Sequence, residues 1–161
     1  DIHRIIGIEN KYPNLIRVPV PINSIEGMIF SKKVGLKINS WDDLKPFSIG
    51  LRIGAKFAEA GTQGMVVTAV LTNDQVFKML DKGRIDVVVS TRIEGLLTSK
   101  KLGFANIYPI EPAIVNLKLY HYVHKKNKAL IPELTRILKI MEKEGRILEI
   151  KKTAIVELLR Q

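Results

Sequence analysis

The segment 71–92, LTNDQVFKMLDKGRIDVVVSTR, predicts a helix that is followed directly by a strand. Thr72 and Gln75 have the spacing of a capping box at a helix start, and Gly83 suits the left-handed residue that ends a helix. The residues 85–89, IDVVV, then predict a buried strand. The apolar face of the helix is expected to consist of Val76, Phe77 and Leu80. Helix and strand in this order are the repeating unit of α/β proteins.

The same alternation extends to both sides of this segment. Pro19 and Pro21 indicate an edge or crossing strand rather than a central one. Strands are predicted at 15–22, 25–31, 47–53, 66–71, 85–89, 106–110 and 115–123, and helices at 41–45, 55–61, 73–82, 91–101, 132–144 and 153–160. We therefore expect a doubly wound, mostly parallel α/β architecture, in which ligands bind beyond the carboxyl ends of the strands.

Composition limits the classes of function. The chain has 161 residues and a formal charge of +10, from 26 Lys and Arg against 16 Asp and Glu. These cations are dispersed, and aromatic residues make up only 6%, so a nucleic-acid platform is not supported. The absence of cysteine excludes disulfides and thiolate chemistry. No apolar run has the length of a membrane span, and no signal peptide is visible.

The first candidate site follows the strand that ends at Arg52. Gly54 permits close approach of the backbone, and the N–H groups of Ala55, Lys56 and Phe57 are expected to form an open helix start. Such a start binds anions, for example a carboxylate, and two neighbouring cations would assist. A tight turn with ordinary surface cations is the equally good alternative. The spacing is not that of a phosphate-binding P-loop.

Two further strand ends carry polar residues. One is Ser90-Thr91-Arg92, and the other is His3-Arg4 near the start of the chain. The segments HRIIG (3–7) and TRIEG (91–95) resemble each other weakly, as two similar lobes facing a shared cleft would, although chance explains five residues equally well.

Other polar groupings are better explained without chemistry. His121 and His124 lie three residues apart on a strand, so their side chains point to opposite faces and cannot share a metal. Asp42 and Asp43 suit a helix cap rather than an acid–base pair. No nucleophile signature occurs. We therefore predict no catalytic residue, no metal site and no cofactor.

Three segments in order carry a family resemblance: INSWDDLKPFSIGLRIG (38–54), KMLDKGRIDVVVSTR (78–92) and LYHYVHKKNKALIPELTRILKIMEKEGRILEI (119–150). Over nearly its whole length the chain resembles periplasmic solute-binding proteins of the amino-acid-binding type, family 3. The resemblance implies a type II fold of two α/β lobes joined by crossing strands, which closes on a small ligand. It places lobe 2 at 45–112 and a partial lobe 1 at 1–44 and 113–161. An incomplete lobe exposes apolar surface, so a dimer is a possible consequence.

The resemblance also implies roles for the strand ends. The helix start at Gly54-Ala55-Lys56 and the side chain of Arg4 would hold the carboxylate of a ligand. Relatives place an aspartate, which takes the α-amino group, where this chain has Thr91. With Arg92 beside it, this departure favours a polar or anionic ligand without an amino group. Some of the positive charge is expected to be balanced by Glu94 or Glu111.

The predicted function is therefore a periplasmic or extracellular solute-binding protein, not an enzyme. Its predicted partners are an amino acid or small organic anion and the permease of an ABC-type transporter, with no nucleic acid. The alternatives are the ligand-sensing extracellular domain of a signalling receptor and, less favoured, an enzyme on the same fold that would use Glu94 or His3 as acid or base. An effector domain of a transcription regulator rests on fold analogy alone.

Overall fold

The fold alternates strands and helices as the sequence predicts. The computed structural model describes the backbone of residues 2–5 and 8–160 and the side chains of residues 10–157. Its strands are β1 (Ile2–Ile5), β2 (Leu15–Ser31), β3 (Ile49–Arg52), β4 (Val67–Val70), β5 (Val87–Thr91) and β6 (Tyr108–His124). Its α-helices are α1 (Ile8–Lys11), α2 (Lys56–Gly61), α3 (Asn73–Asp81), α4 (Arg92–Leu102), α5 (Ile131–Lys143) and α6 (Arg146–Arg160), and short 3-10 helices cover Trp41–Leu44 and Lys125–Leu130.

The chain divides into two compact units. The first unit is Asp1–Ile25 with Leu117–Gln161, and the second unit is Glu26–Asn116. The predicted lobe 2, at 45–112, lies within the second unit, and its boundaries stay a prediction. Residues 27–31 of β2 also belong to the second unit, because they pair with β5.

The second unit is built on a mixed sheet. Strand β3 runs parallel to both β4 and β5, and β2 runs antiparallel to β5. The hydrogen-bonded order of the strands is β1-β6-β2-β5-β3-β4. This arrangement brings the carboxyl ends of β3, β4 and β5 to one edge, where a ligand site is expected.

Two apolar clusters fill the two faces of this sheet. One face packs Ile29, Leu51, Val87 and Val89 with Leu44 and Ala58. The other face packs Met28, Phe30 and Val88 with the predicted helix face Val76, Phe77 and Leu80. Successive buried side chains of β5 point to opposite faces of the sheet, as the two-residue period of a strand requires. The predicted apolar face of α3 is thus confirmed.

The first unit is less well packed. Strand β1 pairs antiparallel with β6, from Ile2 opposite Tyr122 to Ile5 opposite Leu119. Helix α5 contains no buried residue. Apolar side chains on α5 and α6 remain exposed, namely Ile137, Ile140, Leu148, Ile150 and Val156. Within the described part of the chain, no helix is long and apolar enough to cross a bilayer.

Three sequence expectations about elements are corrected. The strands predicted at 15–22 and 25–31 are one strand, β2, and those at 106–110 and 115–123 are one strand, β6. The last helix begins at Arg146 rather than at 153. Prolines and polar residues inside β2 and β6 look like loop signals, but an extended strand accommodates them where it does not need every N–H.

The predicted helix caps are confirmed. Thr72 and Gln75 form the capping box of α3, and Gly83 takes the left-handed conformation after it, with φ +67°. The carboxylate of Asp43 accepts hydrogen bonds from the N–H groups of Asn39 and Ser40, both at 2.9 Å. These bonds, Asn39 first, lower the pKa of Asp43, as expected for a carboxylate that caps a helix start.

Candidate functional site

The candidate site is built around the end of β5, where Thr91 begins α4. The backbone of Thr91 is extended, and its hydroxyl accepts a hydrogen bond from the N–H of Glu94 at 3.2 Å. The same hydroxyl donates to Oε2 of Glu94, also at 3.2 Å. Thr91 is therefore the N-cap of α4 and also fixes a carboxylate at the strand end.

A cation from the neighbouring strand completes this group. Arg52 ends β3, which lies next to β5 in the sheet. Its Nη2 lies 3.4 Å from Oε1 of Glu94, and the side chains are 35% and 43% exposed. One carboxylate thus holds a hydroxyl with one oxygen and a guanidinium with the other. The expectation that Glu94 balances part of the positive charge is confirmed.

Arg92 is held more firmly than Arg52. Its Nε donates to Glu26 at 2.6 Å, and its two Nη groups donate to the two oxygens of Glu111 at 2.6 and 2.9 Å. The bonds to Glu111, followed by those to Glu26, raise the pKa of Arg92 above its usual range. The Arg92 guanidinium in turn lowers the pKa of Glu111. The expected balancing by Glu111 is confirmed.

Among the described side chains, those at the ends of β3 and β5 carry no excess of positive charge. The two guanidinium groups of Arg52 and Arg92 face three carboxylates, those of Glu26, Glu94 and Glu111. An anionic ligand would need an excess of positive charge, and these ion pairs balance the charges of both Arg52 and Arg92. Glu26 was missed because its pairing depends on strand β2 lying beside β5, which local sequence does not reveal.

The start of α2 differs from the open helix start that the sequence predicts. The N–H of Ala55 donates to the carbonyl of Arg52 at 3.1 Å, and that of Lys56 donates to Gly54 at 2.9 Å. The carboxylate of Glu59 accepts from Gly54 N–H at 2.7 Å and from Lys56 Nζ at 2.6 Å. The expectation of open amides at Ala55 and Lys56 is therefore wrong, because the carbonyl groups of Arg52 and Gly54 accept from these two amides.

These same contacts stabilise the ionised form of Glu59. The hydrogen bond from Lys56, followed by that from Gly54, lowers the pKa of Glu59. A carboxylate of the chain itself thus stands where the ligand carboxylate was expected. The ligand-binding roles of Gly54, Ala55 and Lys56 stay predictions.

Phe57 and Ser90 lie beside Thr91 in the fold. A Cβ on Gly27, the register partner of Thr91, would lie only 2.7 Å from the ring of Phe57, so this ring lies against β2 there. Ser90 is 3% exposed, and its Oγ has no hydrogen-bond partner among the described residues. The ligand-binding roles of both residues stay predictions.

The remaining sequence candidates belong to the first unit. The backbone of Arg4 is in β1, but its side chain lies outside the described residues, and so does that of His3. His124 caps the 3-10 helix after β6, and its Nδ1 accepts from the N–H of Lys126 at 3.2 Å. Among the residues whose side chains are described, no three metal-binding side chains form a group.

The sequence of the chain can be compared with those of known proteins. No family model matches the chain. An uncharacterized protein of Shewanella oneidensis is 26% identical in an alignment 151 residues long, which covers 88% of this chain and 56% of that protein. The chain therefore spans little more than half the length of this relative.

Solved structures give the fold. A histidine kinase sensor domain with similarity to periplasmic binding proteins matches with a TM-score of 0.64 and 18% identity, over 90% of this chain and 64% of that one. A mutant of ArgBP from T. maritima matches with a TM-score of 0.66 and 16% identity, over 99% of this chain and 67% of that one. The ligand-binding core of GluR0 in complex with L-glutamate matches with a TM-score of 0.69 and 14% identity, over 87% of this chain and 63% of that one. The chain thus has the mixed α/β fold of amino-acid-binding periplasmic proteins, over about two thirds of their length.

Proposed function

We propose that this chain belongs to a protein that binds a small zwitterion, an α-amino acid or a close analogue, without chemical conversion. The observation that supports the proposal is the Glu94 carboxylate, which Thr91 and Arg52 fix at the end of β5. The family resemblance implies a carboxylate for the α-amino group at the position of Thr91. Here the side chain of Glu94, one helical turn later, supplies that carboxylate instead.

The charges of the site favour a zwitterion over an anion. Arg92 is saturated by two carboxylates at 2.6 Å, whereas the contact between Arg52 and Glu94 is 3.4 Å long. Of these ion pairs, the longer one costs least to open. A ligand ammonium can then replace Arg52 at Glu94 while the ligand carboxylate takes the released guanidinium. A simple anion would leave Glu94 without a cation, which is unfavourable once the site is closed to water.

The biological setting of this binding is a separate part of the proposal. We place the protein in the periplasm or outside the cell, where it delivers its ligand to the permease of an ABC-type transporter. The second candidate is a sensing domain, favoured by the structural similarity to a histidine kinase sensor domain. Uptake of labelled ligand by cells lacking the gene distinguishes them, since loss of uptake supports transport and unchanged uptake supports sensing.

Calorimetric titration of the full chain tests the ligand class. We expect binding of α-amino acids, and much weaker binding of the matching carboxylic acids that lack the amino group. Glu94→Gln should weaken amino-acid binding by about 10- to 100-fold, because a charge-assisted hydrogen bond contributes about 1.5–3 kcal/mol. Glu133→Gln is the control, since it removes the same charge from an exposed ion pair on α5, outside the candidate site.

A rescue variant makes this test sharper. Thr91→Asp keeps a good N-cap and puts a carboxylate where relatives have one. The double variant Thr91→Asp with Glu94→Gln should therefore recover most of the lost affinity. Equal binding of the deaminated acids, or unchanged affinity in Glu94→Gln, would contradict the proposal.

A further inference from the structure

Two apolar side chains lie beside the Glu94 carboxylate. Gly27 of β2 is the register partner of Thr91, whose hydroxyl donates to Glu94. A Cβ at Gly27 would lie 2.7 Å from the ring of Phe57 and 2.6 Å from a methyl group of Val115. These two side chains therefore meet over the backbone of Gly27, and we call Phe57 and Val115 together the apolar wall.

The apolar wall and the side chain of Thr91 lie on the same face of the sheet. Residues directly opposite each other in an antiparallel pair direct their Cβ atoms to one face, about 4.5–5.5 Å apart. Val87 and Val89 belong to the apolar cluster against which Phe57 packs. Thr91 follows them on β5 at the two-residue period, so its side chain points to that face too. A group bound at Glu94 therefore has the apolar wall as its neighbour on the adjoining strand.

The apolar wall keeps part of its surface in contact with solvent. Phe57 and Val115 are each partly exposed, as is Glu94. The side chains that fill the core of the same cluster, such as Leu51 and Val89, are almost fully buried. The apolar wall therefore offers surface that a ligand can cover, and removing apolar surface from water is favourable.

The charged groups near the apolar wall already have partners. In the proposed binding, Arg52 and Glu94 take the carboxylate and the ammonium of the ligand. The other described charged side chains at the ends of β3 and β5 and at the start of α2 form ion pairs of their own, namely Lys56 with Glu59, and Arg92 with Glu26 and Glu111. A charged ligand side chain would lose hydration against the apolar wall without gaining a partner of opposite charge, which is unfavourable.

We infer that the apolar wall receives the side chain of the ligand, so that the ligand is an amino acid with an apolar side chain. This inference rests on the proposed function, because it takes the Glu94 carboxylate as the partner of the ligand ammonium. The ammonium and the side chain share one α-carbon, so an ammonium held at Glu94 brings the side chain toward the apolar wall. Phe57 and Val115 then determine specificity, while Arg52 and Glu94 bind the groups that all α-amino acids share.

Calorimetric titration of the full chain with four amino acids tests the ligand class. L-leucine and L-phenylalanine should bind at least about tenfold more tightly than L-aspartate and L-arginine, because only apolar side chains gain by leaving water for the apolar wall. Equal affinity for all four, or tighter binding of aspartate or arginine, would overturn the inference and leave the proposed function standing. Binding of none of the four would contradict the proposed function itself, and the inference with it.

A charge placed on the apolar wall should change this preference. Val115→Lys should lower the ratio of leucine affinity to aspartate affinity by about tenfold or more, because aspartate gains an ion pair there. Val115→Thr changes the polarity with little change of shape and should lower the same ratio about threefold. Val66→Lys is the matched control, since Val66 is 89% exposed and precedes β4, away from the carboxyl ends of the strands. An unchanged ratio in both Val115 variants, or an equal change in Val66→Lys, would overturn the inference.

Discussion

Asp86 shows how a residue at a strand end can serve the scaffold instead of the ligand. Its Oδ2 accepts from the hydroxyl of Ser48 at 2.6 Å and from the N–H of Ser48 at 3.0 Å. Its Oδ1 accepts from Lys33 Nζ at 2.9 Å. These contacts fasten the start of β5 to the start of β3, so they set the register that later brings Thr91 and Arg52 together.

Asp86 should make stability depend on pH in the acid range. The Ser48 hydroxyl, followed by Lys33, lowers the pKa of Asp86 from 3.8 to about 2. A lowered carboxylate pKa contributes stability that is fully present above the unfolded value and is lost as the pH falls toward the folded value. The loss is therefore expected between about pH 4 and about pH 2. Since the side chain of Asp86 is 36% exposed, screening by solvent limits this loss of stability to about 1 kcal/mol.

Urea unfolding at several pH values measures this contribution. Asp86→Asn should lower the free energy of unfolding at neutral pH by about 1 kcal/mol and flatten its decline in acid. Asp42→Asn removes the same charge from a carboxylate that is 78% exposed, and should change neither quantity. A wild-type acid profile in Asp86→Asn would show that the hydrogen bonds to Ser48 do not stabilise the fold.

At the scale of the element, the packing of α4 on the sheet explains a glycine in the middle of a helix. A Cβ on Gly95 would lie 2.1 Å from Cζ of the Phe30 ring. Glycine normally weakens a helix, but here it lets α4 approach the sheet closely. This approach holds the start of α4 and with it Glu94.

Gly95→Ala should therefore destabilise the protein, although the same change stabilises an ordinary helix by about 1 kcal/mol. Overpacking against Phe30 is expected to cost about 1–3 kcal/mol. In a thermal denaturation series, Phe30→Leu combined with Gly95→Ala should cost less than the sum of the two single changes, because the shorter side chain relieves the contact. Additive costs would mean that the ring moves aside freely.

For the whole molecule, the two units differ in how much apolar surface they bury. The second unit contains both apolar clusters. The first unit contains α5, which has no buried residue, and the exposed apolar side chains of α6. Local stability follows buried contacts, so the first unit is expected to unfold more easily.

Two spectroscopic signals can follow the units separately. The single tryptophan, Trp41, lies in the second unit, whereas α5 and α6 contribute much of the helical circular dichroism. In urea, the helical signal should begin to fall before the tryptophan emission changes. Phe77→Leu should shift the tryptophan transition and leave the early helical phase unchanged. Coincident transitions in wild type would show that the units unfold as one.

Much of the fold was predictable because it depends on neighbours in sequence. The capping box of Thr72 and Gln75, the stop at Gly83 and the apolar face of α3 follow from local spacing. The full lengths of strands β2 and β6 were not predictable, because the prolines within them suggest a break that the strands do not have. Local sequence also placed Arg52, Thr91 and Arg92 at strand ends.

By itself, the sequence determined the α/β class, the fold family and the positions where a ligand is to be sought. The tertiary structure decided the net charge at the ends of β3 and β5, where a ligand is to be sought. Glu26 and Glu111 are far from Arg92 in sequence, and only the pairing of β2 with β5 and the path of β6 bring carboxylates to it. The reason is physical: strand ends follow from local periodicity, whereas an ion pair depends on distances that only the completed sheet defines.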